Sequence, residues 1–152
     1  MNYTVEIEID QPREKVIELF DSAENLAFWQ PGFVSHDHLS GDPGTAGAKT
    51  RLCYKNRGRD VELIETITVA NFPDEFSATF EAKGMHIAQK NTFTESGEGK
   101  TKWVSENEAK VSGIVMRIFA LLMPGCFRKE SLKYMTNFKA FAETGADIRE
   151  AG

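Results

Sequence analysis

The chain opens on strict alternation. Tyr3, Val5, Ile7 and Ile9 are separated by Thr4, Glu6 and Glu8, the period of a strand with one buried face. Asp10 then stands where a helix N-cap would, Gln11 and Pro12 open the first turn, and Glu14 places acid near the helix's positive end. Val16, Ile17, Leu19 and Phe20 give that helix its apolar stripe. Asp21 and Ser22 restart the chain as a second short helix through Leu26, Phe28 and Trp29, which the Pro31-Gly32 pair stops. From residue 33 the signal is strand and turn. Runs at 33–39, 48–54, 61–70, 76–82, 85–94 and 101–109 are rich in branched and aromatic residues. GDPGTAG, NRGRD, NFPDE, Gly84 and ESGEGK separate them and carry the residues that turns require. Connections this short join antiparallel neighbours and leave no room for crossover helices.

The last third changes period. Segment 113–127 is apolar enough to predict a core helix, yet it is shorter than the roughly 20 residues needed to cross a bilayer and contains Arg117 and Pro124. Beyond Pro124, where a helix must kink or restart, Phe127, Ser131, Tyr134, Met135, Phe138, Phe141 and Ala142 recur at three- and four-residue steps. Arg128, Lys129, Lys133, Lys139 and Glu143 take the other side, which reads as a solvated face. Thr144 and Gly145 end the helix, and the tail at 145–152 is expected to fray. The order predicts an α+β protein, one domain over residues 1–152. Its seven-stranded curved antiparallel sheet grips a long C-terminal helix, with two short helices after the first strand plugging one end. Because the sheet curves and the helix is straight, a cavity is expected between them.

This order is carried by IEIDQPREKVIELF, NLAFWQPGF, LSGDPGTAGAKTRLCY, VELIETITVANFPDEFSATFEA and LMPGCFRKESLKYMTNFKAFAE. It resembles the START-like, or birch-pollen-allergen-like, helix-grip superfamily, in particular its bacterial polyketide cyclase/dehydrase and lipid-transport branch. The resemblance covers about residues 3–144. It implies a helix-grip fold and one of three roles: a carrier of hydrophobic ligands, a cyclase, or a chaperone co-activator. The superfamily has no catalytic motif shared by all members, so no functional residue carries over.

Strand parity supplies the candidates instead. Val61, Leu63, Ile67 and Val69 share a face with Glu65; Phe76, Ala78 and Phe80 point the same way; Met85, Ile87 and Phe93 bring Gln89 and Asn91 inward. Trp103 takes Ser105 and Asn107 with it, and Leu52 and Tyr54 face in while Arg51 and Lys55 face out. The expected ligand-binding set is Trp29, His36, His38, Leu52, Tyr54, Phe80, Gln89, Asn91, Trp103, Phe119, Met123 and Phe127. A mostly apolar lining with a few polar groups suits a small-molecule pocket, and also an ordinary core. Glu65 is the candidate acid or base, since burial would raise its pKa. Gln89 and Asn91 could bind a ligand or satisfy each other. His36 and His38 share one strand face, but no third ligand stands near them, so no metal is expected. They are cavity-mouth donors or solvated side chains of the outer face.

Composition narrows the partners. Eighteen Lys and Arg against 23 Asp and Glu give a net charge of −5, which disfavours nucleic acid and an anionic membrane. Cys53 and Cys126 are far apart, outside any CxxC or zinc spacing, and fit a reduced pair in a cytoplasmic protein. The expectations are therefore a hydrophobic or amphipathic small molecule (lipid, polyketide-like or isoprenoid), no cofactor, no stable membrane insertion, and a monomer or homodimer. The alternatives are a cyclase or dehydratase using Glu65 and a co-activator-like interaction module.

Overall fold

The computed structural model describes residues 1–122 and 125–150, without the side chains of residues 115, 119 and 120. Two expected lining residues, Phe119 and Met123, and the break at Pro124 therefore lie outside the described residues. Seven strands form one antiparallel sheet: β1 (Asn2–Ile9), β2 (Phe33–Ser40), β3 (Lys49–Asn56), β4 (Arg59–Asn71), β5 (Glu75–Ala82), β6 (Met85–Gly97) and β7 (Lys100–Val111). The spatial order is β1-β7-β6-β5-β4-β3-β2, a meander closed by the first strand pairing with the last. Between β1 and β2 lie α1 (Arg13–Phe20), a 3₁₀ turn (Ala23–Asn25) and α2 (Leu26–Trp29); α3 (Ile114–Leu122) and α4 (Cys126–Thr144) follow β7.

Directly paired residues share a face, so the register defines the sheet's inner surface row by row. One row runs His38, Thr50, Glu65, Phe80, Ile87, Ala109. A second runs Ile67, Ala78, Gln89, Asn107, Tyr3, and a third Phe76, Asn91, Ser105, Val5. Phe93, Trp103 and Ile7 make a fourth. The C-terminal half of α4 packs on this surface: Met135, Phe138 and Ala142 are buried with Val5, Ile9, Phe93 and Trp103. Phe20 of α1 plugs the same region, its ring 5.1 Å from Phe93, 5.4 Å from Trp103 and 6.1 Å from Phe138. Such edge-to-face pairs add about 0.5–1.5 kcal/mol each beyond the area they bury.

Several local expectations are corrected. Asp10 is not the cap of α1; Pro12, in extended conformation, holds that position, and the Asp10 amide donates instead to Glu143 Oε2 at 2.7 Å. A bulge between Ile67 and Val69 reverses parity, so Val69 pairs with Ser77 on the outer face and is exposed. The tail does not simply fray: the Ile148 amide donates to the Phe28 carbonyl at 3.1 Å, and the Arg149 guanidinium lies 5.1 Å from the Phe28 ring centre. The largest difference concerns α3. Its Ile114 and Leu121 are 75% and 80% exposed, so it is not a core helix.

Candidate ligand-binding site

The inner surface is sealed in one part and open in another. Phe93 and Phe138 have no exposed area, and Trp29 and Trp103 have almost none. These four form a solid floor. Next to it Glu65, Phe80 and Ile87 of one row, with Leu63 and Gln89 beside them, are only half-buried; Ala109 of the same row is buried, and His36 and His38 at the edge are exposed. The overlying N-terminal half of α4, residues 126–134, buries no side chain fully, whereas its C-terminal half buries three. The inner surface around Glu65 is therefore less completely covered than the floor beside it.

One wall is fixed by backbone geometry. Gly32 adopts φ +75° and approaches so closely that a Cβ there would stand 2.3 Å from the Lys55 carbonyl oxygen. Only glycine fits, and the Lys55 amide donates to the Gly32 carbonyl at 2.7 Å. This pins β3 to the end of α2, where the Tyr54 hydroxyl donates to Gln30 Oε1 at 2.7 Å. Burial drives the Tyr54 phenol far above its ordinary pKa, reinforced by Tyr134, Glu65 and Cys53. Burial also raises Tyr134, on α4, to about 12, with help from Glu130. Both phenols stay protonated as hydrogen-bond donors at any physiological pH.

Glu65 differs from both tyrosines. Among the described residues it makes neither a hydrogen bond nor an ion pair, and desolvation by burial raises its pKa to about 7. Its neighbours across the strands are Thr50 and Phe80, a hydroxyl and a hydrocarbon ring. Near neutral pH the group is divided between carboxylic acid and carboxylate. It can donate or accept, or move a proton.

Gln89 and Asn91 lie inward and satisfy each other. Trp103 Nε1 donates to Asn91 Oδ1 at 2.9 Å, Asn91 Nδ2 to Gln89 Oε1 at 3.0 Å, and Gln89 Nε2 to Asn107 Oδ1 at 2.9 Å. Asn107 Nδ2 closes the chain on Ser105 Oγ at 3.0 Å. This directed run lies beside the floor, and within it only Gln89 is half-buried. Trp29 Nε1, by contrast, is buried with no acceptor among the described residues.

The remaining candidates fall as follows. A bulge between Phe33 and Ser35 puts His36 opposite Leu52 and His38 opposite Thr50, on the inner face at the edge strand. The His36 ring lies 6.3 Å from Phe33. Among the described residues no group of three His, Cys, Asp or Glu could hold a metal ion. Leu52 is buried in the inner surface, and Phe127 is half-buried in the first turns of α4. Gln30 and Tyr134 join the site without a signal in strand parity, because Gln30 follows the end of α2 and Tyr134 lies on α4. A recess of about 630 Å³ exists elsewhere, on the sheet's outer face around Thr4, Thr79, Ala88 and Glu106. It is open, and of the site residues above only Gln89 and Asn107 line it.

A family model described as polyketide cyclase/dehydrase and lipid transport matches residues 1–143. The chain belongs to this family. Solved structures place the cyclase/dehydrase and lipid-transport chain in the helix-grip fold. The Zhui aromatase/cyclase of Streptomyces sp. R1128 superposes with a TM-score of 0.75 at 11% identity, over 93% of each chain. A conserved protein of Geobacillus kaustophilus gives 0.75 at 15% identity over 93% of this chain and 95% of its own. The protein Ara h 8.0201 gives 0.72 at 12% identity over 93% and 97%. At these identities the likeness shows the fold alone. No curated protein matches the family member by sequence.

Proposed function

We propose that the protein binds a hydrophobic or amphipathic small molecule, of lipid, polyketide-like or isoprenoid type, in the groove between the inner sheet surface and α4. One observation carries this reading: an apolar surface left half-open around a single unpartnered, desolvated carboxyl, Glu65. An ordinary core would close over Leu63, Phe80 and Ile87, as it does over Phe93 and Phe138. Binding then draws on burial of this apolar surface, about 25 cal/mol per Å² removed from water. Glu65 and Tyr134 supply orientation by hydrogen bonds, and Trp29 and Trp103 form the floor beneath the guest.

Titration with a fluorescent apolar probe, 1-anilinonaphthalene-8-sulfonate, tests the location. Ile87→Arg, which puts a charge into the groove, is expected to weaken probe binding at least tenfold, and Leu121→Glu on α3 to leave a groove-bound population intact. Equal probe binding by wild type and Ile87→Arg overturns the reading. A second reading, a cyclase- or dehydratase-type enzyme, is favoured by the same carboxyl, since a pKa of about 7 suits a general acid or base at neutral pH. Glu65→Gln separates the two: turnover lost with ligand affinity retained identifies an enzyme, and affinity alone identifies a carrier.

A further inference from the structure

Helix α3 presents an apolar face that no described residue covers. Ile114, Ile118, Leu121 and Leu122, at three-, four- and eight-residue steps, lie on one side and are 52–80% exposed. Its opposite side meets the protein: the Met116 Cγ stands 3.2 Å from where a Gly84 Cβ would be, and the Ser112 amide donates to the Gly84 carbonyl at 2.9 Å. The exposed orientation of those four leucine and isoleucine side chains is therefore set by the packing of α3 on the β5–β6 turn.

The charge around this face is unlike that of the rest of the chain. Between Gly113 and Met135 the sequence has four basic residues and one acidic residue, Glu130, within a chain whose net charge is −5. Arg117 sits on α3 itself. On α4, Arg128, Lys129 and Lys133 surround Leu132, which is also exposed. Among the described residues none of these four basic side chains forms an ion pair, although Lys100, Lys102 and Lys110 elsewhere do. Leu122 and Cys126 are joined by three residues, which limits the gap between the helices to about 15 Å. The basic residues at the start of α4 are thus held within reach of the apolar face of α3, which carries Arg117 itself.

We infer that this surface docks the protein on a bilayer carrying anionic lipid headgroups. Helix α3 lies in the plane of the interface with Ile114, Ile118, Leu121 and Leu122 among the upper acyl chains, and Arg117, Arg128, Lys129 and Lys133 at headgroup level. Nine residues, about 14 Å, suit lying on a membrane rather than crossing it. Charge also decides against a second copy of this chain. A two-fold dimer sets the same patch against itself, opposing one basic cluster with another. A bilayer with negative headgroups complements both the grease and the charge. The inference stands on the α3 face and its surroundings, and holds whatever occupies the groove.

Vesicle flotation tests it, using phosphatidylcholine vesicles with and without 30% phosphatidylglycerol (roughly a bacterial-like anionic surface). Wild type is expected to float with the anionic vesicles at low salt, and to be released as ionic strength rises. Ile118→Glu combined with Leu121→Glu is expected to abolish flotation. Arg128→Glu combined with Lys129→Glu should lower partitioning about tenfold or more, as the loss of two attractive charges near an anionic surface requires. All these positions are exposed, so circular dichroism should show unchanged folding in both variants. Failure of wild type to float overturns the inference, as does equal flotation of the Ile118→Glu/Leu121→Glu variant. So does light scattering that shows a dimer dissolved by that variant, with no vesicle binding.

Discussion

Glu65 lies between Thr50 and Phe80 with no hydrogen-bond or ion-pair partner among the described residues, so ionising it leaves a charge in a poorly solvated place. The folded state therefore prefers the protonated acid, and its pKa is raised from the ordinary 4.5 to about 7. The sign follows by linkage. The proton's stabilising contribution is complete below about pH 4.5, and it is lost as the pH climbs through 7. Glu65→Gln mimics the neutral acid at every pH. Urea titration should find its advantage over wild type smallest near pH 4 and growing to about 2–3 kcal/mol by pH 8. A second residue-scale test concerns Asn91, which accepts from Trp103 and donates to Gln89 in a buried setting. Asn91→Leu strands both partners and should cost about 1–3 kcal/mol in the same assay. Parity along β6 placed Gln89 and Asn91 inward, yet which atom donates to which depends on β7 lying alongside. No single strand's sequence carries that information.

At the scale of elements, legibility tracks how local the determinant is. β1 and β7 alternate cleanly because one face meets α4 and the other meets water, and their periods are plain in the chain. The bulge in β4 comes from its pairing with β5, which is why Val69 reads as inward and lies outward. Helix α3 shows the opposite difficulty. Apolar content predicts burial only where a covering surface exists, and α3 meets the β5–β6 turn through Met116 while Ile114, Ile118, Leu121 and Leu122 are exposed. Helices held by one side open locally at low cost, whereas the second half of α4 is sunk among aromatic rings. Hydrogen exchange should therefore deprotect the α3 amides well before those of Met135–Ala142. Equal protection of the two helices would mean that α3 is packed in solution.

For the whole molecule, the inner surface about Phe93 and Phe138 is fully buried, whereas Glu65, Phe80 and Ile87 are half-buried. The aromatic cluster about Phe20 joins α1, α2, α4 and the three strands β5, β6 and β7. The helix-grip architecture was legible from the order of elements. Where the interior stops being solid was not, because that depends on how far the sheet curves away from α4. The two proposals meet here: α3 stands at the β5–β6 turn, beside the groove edge at Ile87 and Phe80, so a bilayer-docked protein would hold its groove close to a source of apolar guests. Native mass spectrometry reads the outcome most directly, applied to protein purified without detergent, then stripped with organic solvent and re-exposed to a panel of lipids and aromatic polyketides. The groove predicts a discrete added mass of a few hundred daltons that is removed by stripping, restored by at least one panel member, and absent from Ile87→Arg. Bare protein at every stage, with no panel member retained, would mean that the hollow beside Glu65 holds only water.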